Sequence, residues 1–332
     1  MLQQLEGFIR RQPSFGHSRV ENLARMPGGA SKETWSFDLY NEEMRSPLPM
    51  VLRIERNSPL PVALNIEKEF FLLREVFDAD IPVPKPYWQG NEDLGNPFYI
   101  VARIKGETLV RRLHREDRYK QARKAIPGQL AETLARIHRL PLKPNRFDFM
   151  PDRARSGSPA LGELLFYEEL FHRLSPDPHP VIELVIRWLK THQPPPHEPV
   201  LLHGDYRLGN IIFTEEGVQS ILDWELAHIG DPHEDLGYIS VQAWRFGEDA
   251  KPIGGIGQRK DFYRAYEQAG GVPLNRETQL YWEVFGNLKW AIITIFQALP
   301  FLQGKSQSIE LASLGRKTAE VELQMLALVE GK

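Results

Sequence analysis

The sequence contains no cysteine among its 332 residues, which excludes disulfide bonds and thiolate metal sites and is compatible with a reducing compartment. It also has little net charge, −3 at pH 7. The basic footprint of a nucleic-acid-binding protein is therefore missing, and no nucleic acid partner is expected. Apolar residues make up 42% and charged residues 26% of the chain, which is the balance of a globular protein able to bury a sizeable core.

Long apolar runs are missing too. The most apolar stretch, residues 290–302, contains Gln297 and Pro300 and is too short to span a bilayer. The first fifteen residues carry scattered charges and no apolar core, so no secretory signal is predicted. We expect a cytoplasmic protein without a membrane partner, either a monomer or a homodimer.

The first hundred residues predict a small sheet and one helix. Residues 34–39 alternate apolar and polar side chains, and residues 50–54 and 96–104 are short apolar runs typical of strands. Within residues 63–79 apolar side chains recur at helical spacing, which predicts an amphipathic helix. The remainder is mainly helical, although the pattern of residues 141–180 assigns no element. The fold class predicted is α+β, with an N-terminal lobe over residues 1–106 and a helical C-terminal lobe over residues 107–332.

The strongest chemical signal is LLHGDYRLGNIIF, residues 201–213, followed by ILDWE, residues 221–225. Asp205 and Asn210 lie in a polar loop between two apolar strands, and Asp223 ends the next hairpin. Phosphoryl transfer needs an oriented hydroxyl, a bound metal ion and neutralised phosphate charge. Two carboxylates and an amide oxygen suit these tasks, because Mg²⁺ prefers oxygen ligands. The alternative is that Asp205 and Asn210 merely cap a tight turn.

These motifs resemble the aminoglycoside phosphotransferase family, and HGDYRLGNIIF with DWELAHIGDPHEDLGY most resembles its subgroup found fused to acyl-CoA dehydrogenases. The resemblance extends from about Gly28 to beyond Tyr238. It implies a bilobal protein-kinase-like fold, with a small antiparallel-sheet N-lobe and a mainly helical C-lobe. It also implies that Asp205 is the catalytic base, that Asn210 and Asp223 bind Mg²⁺, and that His203 braces the loop.

The resemblance also indicates a nucleotide site for ATP or GTP. A glycine-containing loop precedes the first predicted strand, where Gly28 and Gly29 would let the backbone approach phosphates and Ser31 would add a hydroxyl donor. An ordinary turn is the alternative. The backbone of Val101 and Arg103, in the strand that resembles the interlobe hinge, would contact adenine. A plain buried strand explains these residues nearly as well.

The sequence departs from the kinase pattern on the third strand, where a lysine normally contacts the α- and β-phosphates and pairs with a helix glutamate. Arg53 takes that position, and its expected partner is Glu69, with Glu67 as the competing choice. An arginine can bind a phosphate or a carboxylate in a bidentate way. The alternative is a solvated edge-strand arginine.

Other polar residues around the motif have structural alternatives. Arg207 would meet a phosphate or an anionic substrate, or else form a salt bridge to Glu225 or Asp235. The resemblance implies that Asp235 braces the loop backbone. His228 and His233 have no third ligand at zinc spacing and are interpreted as solvated loop histidines.

The interval after Asp223 excludes a protein substrate, because a helix is predicted to start at Asp231 and leaves no room for a peptide-docking segment. The acceptor is thus a hydroxylated small molecule, expected against the aromatic residues of the C-terminal helices. Glu283 is the only acidic residue among residues 281–299, which disfavours a polycationic antibiotic. The resemblance to the dehydrogenase-linked subgroup suggests a hydroxyacyl-type metabolite instead. The alternative is that these aromatic residues, at helical spacing, belong to the core. The rivals are an aminoglycoside kinase and a catalytically silent nucleotide-binding regulatory protein.

Overall fold

A computed structural model describes residues 1–26, 32–41, 45–55, 62–153 and 157–331. The strands are β1 (Arg19–Arg25), β2 (Lys32–Tyr40), β3 (Leu48–Glu55), β4 (Pro86–Gly90), β5 (Phe98–Ala102), β6 (Val200–Leu202), β7 (Ile211–Thr214), β8 (Gly217–Ile221) and β9 (His228–Gly230). The helices are α1 (Leu2–Arg10), α2 (Ile66–Asp78), α3 (Val110–Arg115), α4 (Lys120–His138), α5 (Pro159–Leu174), α6 (Pro180–Thr191), α7 (His233–Tyr238), α8 (Arg259–Gln268), α9 (Arg276–Leu302), α10 (Ile309–Gly315) and α11 (Lys317–Val329).

The N-terminal part is an antiparallel five-stranded sheet in the order β1-β2-β3-β5-β4. Alternating side chains of β2 and β3 are buried, as the period of a half-buried strand requires. Helix α2 begins at Asn65, whose side chain accepts a hydrogen bond from the Lys68 N–H. Its apolar face joins a core cluster that also contains side chains of β5, α4 and β7, so this core continues from the sheet into the helical part.

The remainder is helical, as predicted, with two short two-stranded sheets, β6-β9 and β7-β8. Helix α5 lies within the stretch that the sequence pattern left unassigned. Its start is marked by Ser158, whose hydroxyl accepts from the Leu161 N–H, and by Pro159 at the first helical position. The protein-kinase-like α+β fold is therefore confirmed.

Helix α9 is the longest helix of the described chain, with 27 residues. By length and hydropathy it alone among the described helices could cross a membrane, but 72% of its most apolar window is buried inside the protein. It packs against α7, α10 and α11. Its apolar character is accordingly explained by its place in the core.

Helix α7 starts slightly later than predicted. The sequence predicts Asp231 as the N-cap and Pro232 as the first helical residue, whereas the helix begins at His233. Asp231 still serves the helix start, because its Oδ1 accepts the N–H of His233 at 2.9 Å. The short interval between Asp223 and this helix is as expected.

Candidate active site

The loop between β6 and β7 holds His203, Asp205 and Asn210. Gly204 takes a φ of +76°, and a Cβ there would lie 2.2 Å from the carbonyl oxygen of Leu226. Only glycine fits this close approach without strain. The loop then turns through a single 3-10 turn, Leu208–Asn210, into β7.

Two buried charged side chains from the C-terminal part bind the backbone of this loop. Asp235 of α7 accepts the N–H of His203 at 2.8 Å and the N–H of Gly204 at 2.9 Å. Lys289 of α9 donates to the carbonyl oxygen of Gly204 at 2.7 Å. The contact predicted between Asp235 and the loop backbone is present. The contact of Lys289 was not predicted, because this residue lies 85 positions from its acceptor in the chain.

His203 has both ring nitrogens engaged. Its Nδ1 accepts the N–H of Asp205 at 3.2 Å, so its Nε2 carries the proton and donates to the carbonyl of Leu222 at 2.9 Å. Burial lowers the pKa of this imidazole despite the carboxylates of Asp235 and Asp205 nearby. His203 thus ties the loop to the end of β8 as a neutral side chain.

Asp205 is held from both sides. Its Oδ2 accepts from the Asn210 amide nitrogen at 2.5 Å, and its Oδ1 accepts from the Arg207 Nε at 2.8 Å. The carboxylate is mostly buried, with 16% of the side chain exposed. Each carboxylate oxygen can accept a further hydrogen bond, so a substrate hydroxyl can still bind here.

The ion pairs described for Arg207 include neither of the two partners suggested by its sequence neighbourhood. Its guanidinium pairs with Asp205 rather than with Glu225 or Asp235, and it lies 4.5 Å from the ring centroid of Trp244. The sequence could not reveal this stacking, since Trp244 lies on a separate loop that only tertiary packing brings near.

Asp223 lies beside Asn210. It follows β8 with a left-handed φ of 58°, and the preceding Leu222 donates its N–H to the carbonyl of Asn210 at 2.8 Å. Burial opposes ionisation of Asp223, but Arg53 and Lys32 outweigh it and hold the pKa of this carboxyl below its usual value. The carboxylate is therefore charged at neutral pH.

The predicted pair of Arg53 and Glu69 is present, as the longer of two Arg53 contacts. The Arg53 Nη1 is 3.6 Å from Glu69 Oε1 and 2.9 Å from Asp223 Oδ1, to which it donates. Glu69 has a second and closer cation in Lys32, whose Nζ lies 2.6 Å from its Oε2. The competing choice, Glu67, is exposed on α2. Lys32 received no role from its sequence, because it follows the glycine-containing loop and its partners are distant in the chain.

The remaining predicted nucleotide contacts are partly described. Gly28, Gly29 and Ser31 lie outside the described residues. Val101 lies inside β5, paired with both β3 and β4, and the N–H of Arg103 donates to the Pro49 carbonyl at 2.9 Å. Adenine recognition through the Arg103 N–H would require that hydrogen bond to be exchanged.

His228 lies in a buried cluster with Glu163 and Glu234, whose candidate ligand atoms are within 4.8 Å of one another. Both carboxylates already have cationic partners: Arg153 lies 2.5 Å from Glu163, and Lys289 lies 2.7 Å from Glu234. Because these cations neutralise the acids, the cluster is an ion-pair network and poorly suited to a divalent cation. His233 is separate and bonds to Asp231. Both histidines are buried, so their interpretation as solvated loop histidines is wrong: each ring is held by a carboxylate inside the protein.

The donor types at Asp223 and Asn210 are those that Mg²⁺ prefers, the oxygen atoms of a carboxylate and an amide. The Asn210 amide nitrogen is committed to Asp205, which leaves its amide oxygen as the ligand atom. The Asp223 side chain is 41% exposed, and its Oδ1 accepts from Arg53 at 2.9 Å, so Mg²⁺ would share this carboxylate with Arg53.

The five-stranded sheet, the helical remainder and the polar loop between β6 and β7 are together those of a kinase-like phosphotransferase fold. The Phosphotransferase enzyme family model matches residues 22–272, about three quarters of the chain, and the chain belongs to that family.

Curated relatives include acyl-CoA dehydrogenase family member 10 of Mus musculus, which is 29% identical over 219 residues, covering 62% of this chain and 20% of the relative. Member 11 of Homo sapiens is 28% identical over 252 residues, covering 71% of this chain and 30% of the relative. The chain thus spans less than a third of the length of these two relatives.

Solved structures share the fold. A Ralstonia eutropha protein classed with the aminoglycoside phosphotransferases has a TM-score of 0.72 at 21% identity, covering 99% of this chain and 98% of its own. A spectinomycin phosphotransferase in complex with ADP and spectinomycin has a TM-score of 0.65 at 13% identity, covering 98% of each chain. At these identities the likeness shows the fold alone.

Proposed function

We propose that the protein is a small-molecule kinase that transfers the γ-phosphoryl group of magnesium-bound ATP or GTP to a substrate hydroxyl. The observation that carries this proposal is the position of Asp205. Its carboxylate is fixed by Asn210 and Arg207, and Asn210 is bonded in turn to the residue before Asp223. The nucleotide complexes of structural neighbours support the choice of co-substrate.

Each residue has a defined task in this proposal. Asp205 orients the acceptor hydroxyl and takes its proton as the oxygen–phosphorus bond forms, while the bond from the γ-phosphorus to the β,γ-bridging oxygen breaks and ADP or GDP leaves. Asn210 and Asp223 hold Mg²⁺, which when bound neutralises charge on the phosphate oxygens. Arg53, on β3, would contact the phosphates, and the backbone and hydroxyl donors of Gly28, Gly29 and Ser31 are assigned to the same phosphates from their sequence alone. His203 keeps the loop in place.

The surroundings of Arg207 support an anionic or neutral acceptor. Arg207 lies over Trp244, Arg245 follows Trp244 in the chain, and Glu283 binds both Arg245, at 2.8 Å, and Arg259. Asp205 and Glu283, the carboxylates bound to these arginines, are thus already paired and offer no cluster of free acids to a polycationic antibiotic. Together with the acyl-CoA dehydrogenase names of the relatives, this favours a hydroxyacyl-type metabolite as acceptor.

We further propose that residues 1–106 bind the nucleotide, with Val101 and Arg103 at the adenine, while residues 107–332 bind the acceptor. The protein would act in the cytoplasm as a monomer or homodimer. The aminoglycoside kinase remains the second candidate, because the structural neighbours include a complex with kanamycin.

The test measures ATP and GTP consumption by the purified protein against hydroxylated carboxylic acids, their coenzyme A esters and aminoglycosides. We expect turnover with a hydroxyacyl compound, and we expect Asp205→Ala to abolish it while Mg-nucleotide still binds. Asp261→Ala, at a side chain that is 70% exposed, is the matched control and should keep full turnover. Unchanged turnover in Asp205→Ala would refute the base assignment. Nucleotide binding without turnover on any acceptor would favour the silent regulatory protein.

A further inference from the structure

Lys32 is a buried lysine at the edge of the proposed phosphate site. Its side chain is 1% exposed, and its Nζ lies 2.6 Å from Glu69 Oε2 and 2.6 Å from Glu225 Oε2. A fully buried lysine is rare unless its charge is paired. Burial works against its ionisation, but Glu69 and Glu225 raise the pKa of the ammonium above its usual value. Lys32 is therefore a permanent cation at neutral pH.

The register of the sheet brings Lys32 next to Arg53. In the antiparallel pair of β2 and β3, Lys32 lies opposite Glu55 and Arg53 lies opposite Thr34. Residues two positions apart on one strand point to the same face, so Lys32 and Arg53 are diagonal neighbours on one face of the sheet. Both cations reach Glu69 of α2 from that face.

Both carboxylate oxygens of Glu69 have partners other than Arg53. Its Oε2 binds Lys32, and its Oε1 accepts the Tyr99 hydroxyl at 3.1 Å. Arg53 remains 3.6 Å from this carboxylate and gives its shorter contact, 2.9 Å, to Asp223. The shorter contacts therefore pair Lys32 with Glu69 and Arg53 with Asp223.

In the kinase pattern one lysine on the third strand serves both the helix glutamate and the phosphates. We propose that this protein splits that role between two strands: Lys32 is the counter-ion of Glu69, and it thereby frees Arg53 to contact the nucleotide phosphates beside Asp223. Lys32 is a positioning residue, since it acts through Arg53. The inference rests on the proposed nucleotide site.

The proposal predicts a specific failure when Lys32 is removed. Lys32→Met leaves the Glu69 carboxylate buried without its cation, and Arg53 is the nearest remaining one. Arg53 moves to Glu69 and leaves the phosphates, so Mg-nucleotide affinity falls by about tenfold to a hundredfold, as for one lost charge-assisted hydrogen bond. Arg53→Met shows a loss of the same order. Glu225 is 22% exposed, and water can solvate it instead.

The diagnostic variant is Lys32→Met combined with Glu69→Gln. A neutral glutamine does not attract Arg53 away from the phosphates. The affinity for Mg-nucleotide therefore returns to within about threefold of the wild type, a difference below about 1 kcal/mol. If Lys32 contacted phosphate directly, this second substitution would restore nothing. The double variant also covers the case in which Lys32→Met alone fails to fold, since it leaves no buried unpaired carboxylate at residue 69.

The experiment is calorimetric titration of Mg-ATP and Mg-GTP into the full-length chain and its variants, after far-UV circular dichroism shows that each is folded. Lys317→Met, at a side chain that is 52% exposed, is the matched control and should bind like the wild type. Weak binding by Lys32→Met with recovery in the double variant supports the proposal. The proposal is overturned, and the proposed function is left standing, if Lys32→Met binds Mg-nucleotide with wild-type affinity. The same holds if the folded double variant binds as weakly as Lys32→Met. Absence of binding by the wild type overturns the proposed function, and this inference with it.

Discussion

Lys289 offers a stringent test of how the loop before Asp205 is held. This α9 side chain is fully buried, and its ammonium bonds to the Gly204 carbonyl and to Glu234, both at 2.7 Å. Lys289→Met keeps a similar length and removes the charge and all three donors. We expect it to lower both the free energy of unfolding and the turnover number.

The loss of stability follows from the fate of Glu234. Its carboxylate is 1% exposed, and removing one partner of a buried ion pair costs about 3–5 kcal/mol. His228 lies 3.1 Å from Glu234. Burial opposes protonation of that ring, but Glu163 and Glu234 raise the pKa of His228. Both ring nitrogens of His228 face acceptors, the Leu226 carbonyl oxygen at 2.9 Å and Glu234 at 3.1 Å, so the ring still donates to the lone carboxylate and we expect a loss near the lower limit, about 3 kcal/mol.

The measurement is urea unfolding of the wild type, Lys289→Met, Glu234→Gln and the double variant at pH 7, with Lys260→Met on the exposed face of α8 as control. Because the double variant leaves no unpaired charge in place of the pair, its loss should be smaller than the sum of the two single losses. A loss in the double variant equal to the sum of the two single losses would mean that Lys289 and Glu234 do not stabilise each other.

The pH dependence gives an independent check. Burial disfavours the Glu234 carboxylate, but Lys289 and His228 lower the pKa of Glu234 from its usual 4.5 to about 2. In the wild type this group therefore stabilises the fold above pH 4.5, and the contribution is lost as the pH falls towards 2. In Lys289→Met the pKa of Glu234 rises from that low value because the lysine no longer opposes burial, and His228, whose pKa is raised, becomes more fully protonated beside Glu234 as the pH falls; both effects relieve the penalty on acidification. The stability gap between variant and wild type should narrow from pH 7 to pH 5; a constant gap would refute the reasoning.

Three further outcomes are expected. Asp235→Asn places an amide nitrogen against the N–H of His203 or Gly204, and should cost about 2 kcal/mol in urea unfolding, the worth of one charge-assisted hydrogen bond; wild-type stability would show that the backbone of the loop does not depend on this carboxylate. Gly204→Ala combines a left-handed φ of +76° with a Cβ 2.2 Å from the Leu226 carbonyl oxygen, and should cost more than about 2 kcal/mol in thermal unfolding and lower turnover; an active alanine variant of normal stability would contradict the packing described here. Asp223→Ala should weaken nucleotide binding about tenfold or more with Mg²⁺ present and little in its absence, measured by calorimetry; equal losses in both conditions would remove Asp223 from the metal site.

Local signals were sufficient for much of the fold. The helix predicted over residues 63–79 is α2, Ile66–Asp78, and the strand predicted over residues 96–104 is β5, Phe98–Ala102. The differences lie at the ends, where capping by Asn65 and pairing with β3 set the boundary. Helix α5 was missed, although Ser158 and Pro159 form a start signal, because its flanking Pro-, Arg- and Asp-rich segments obscured the periodicity.

The aromatic residues of α9 gave a misleading signal for the acceptor surface. Four aromatic side chains of this helix are buried in the core, each at most 4% exposed: Tyr281, Trp282, Phe285 and Phe296. Trp290 is partly buried and packs against Trp244 at a ring distance of 4.7 Å. Helical spacing of large apolar side chains marks a face that avoids water, and in this helix that face meets other helices.

The sequence by itself determined where the candidate chemistry lies, because Asp205, Asn210 and Asp223 occur within a short span whose strand-loop-strand pattern is legible locally. Only the tertiary structure decided how the charges pair. Lys32 and Glu225 are 193 residues apart, and Lys289 and Gly204 are 85 apart, so no local pattern links them. Ion pairs between buried groups depend on which elements pack together, and that packing is a property of the whole chain.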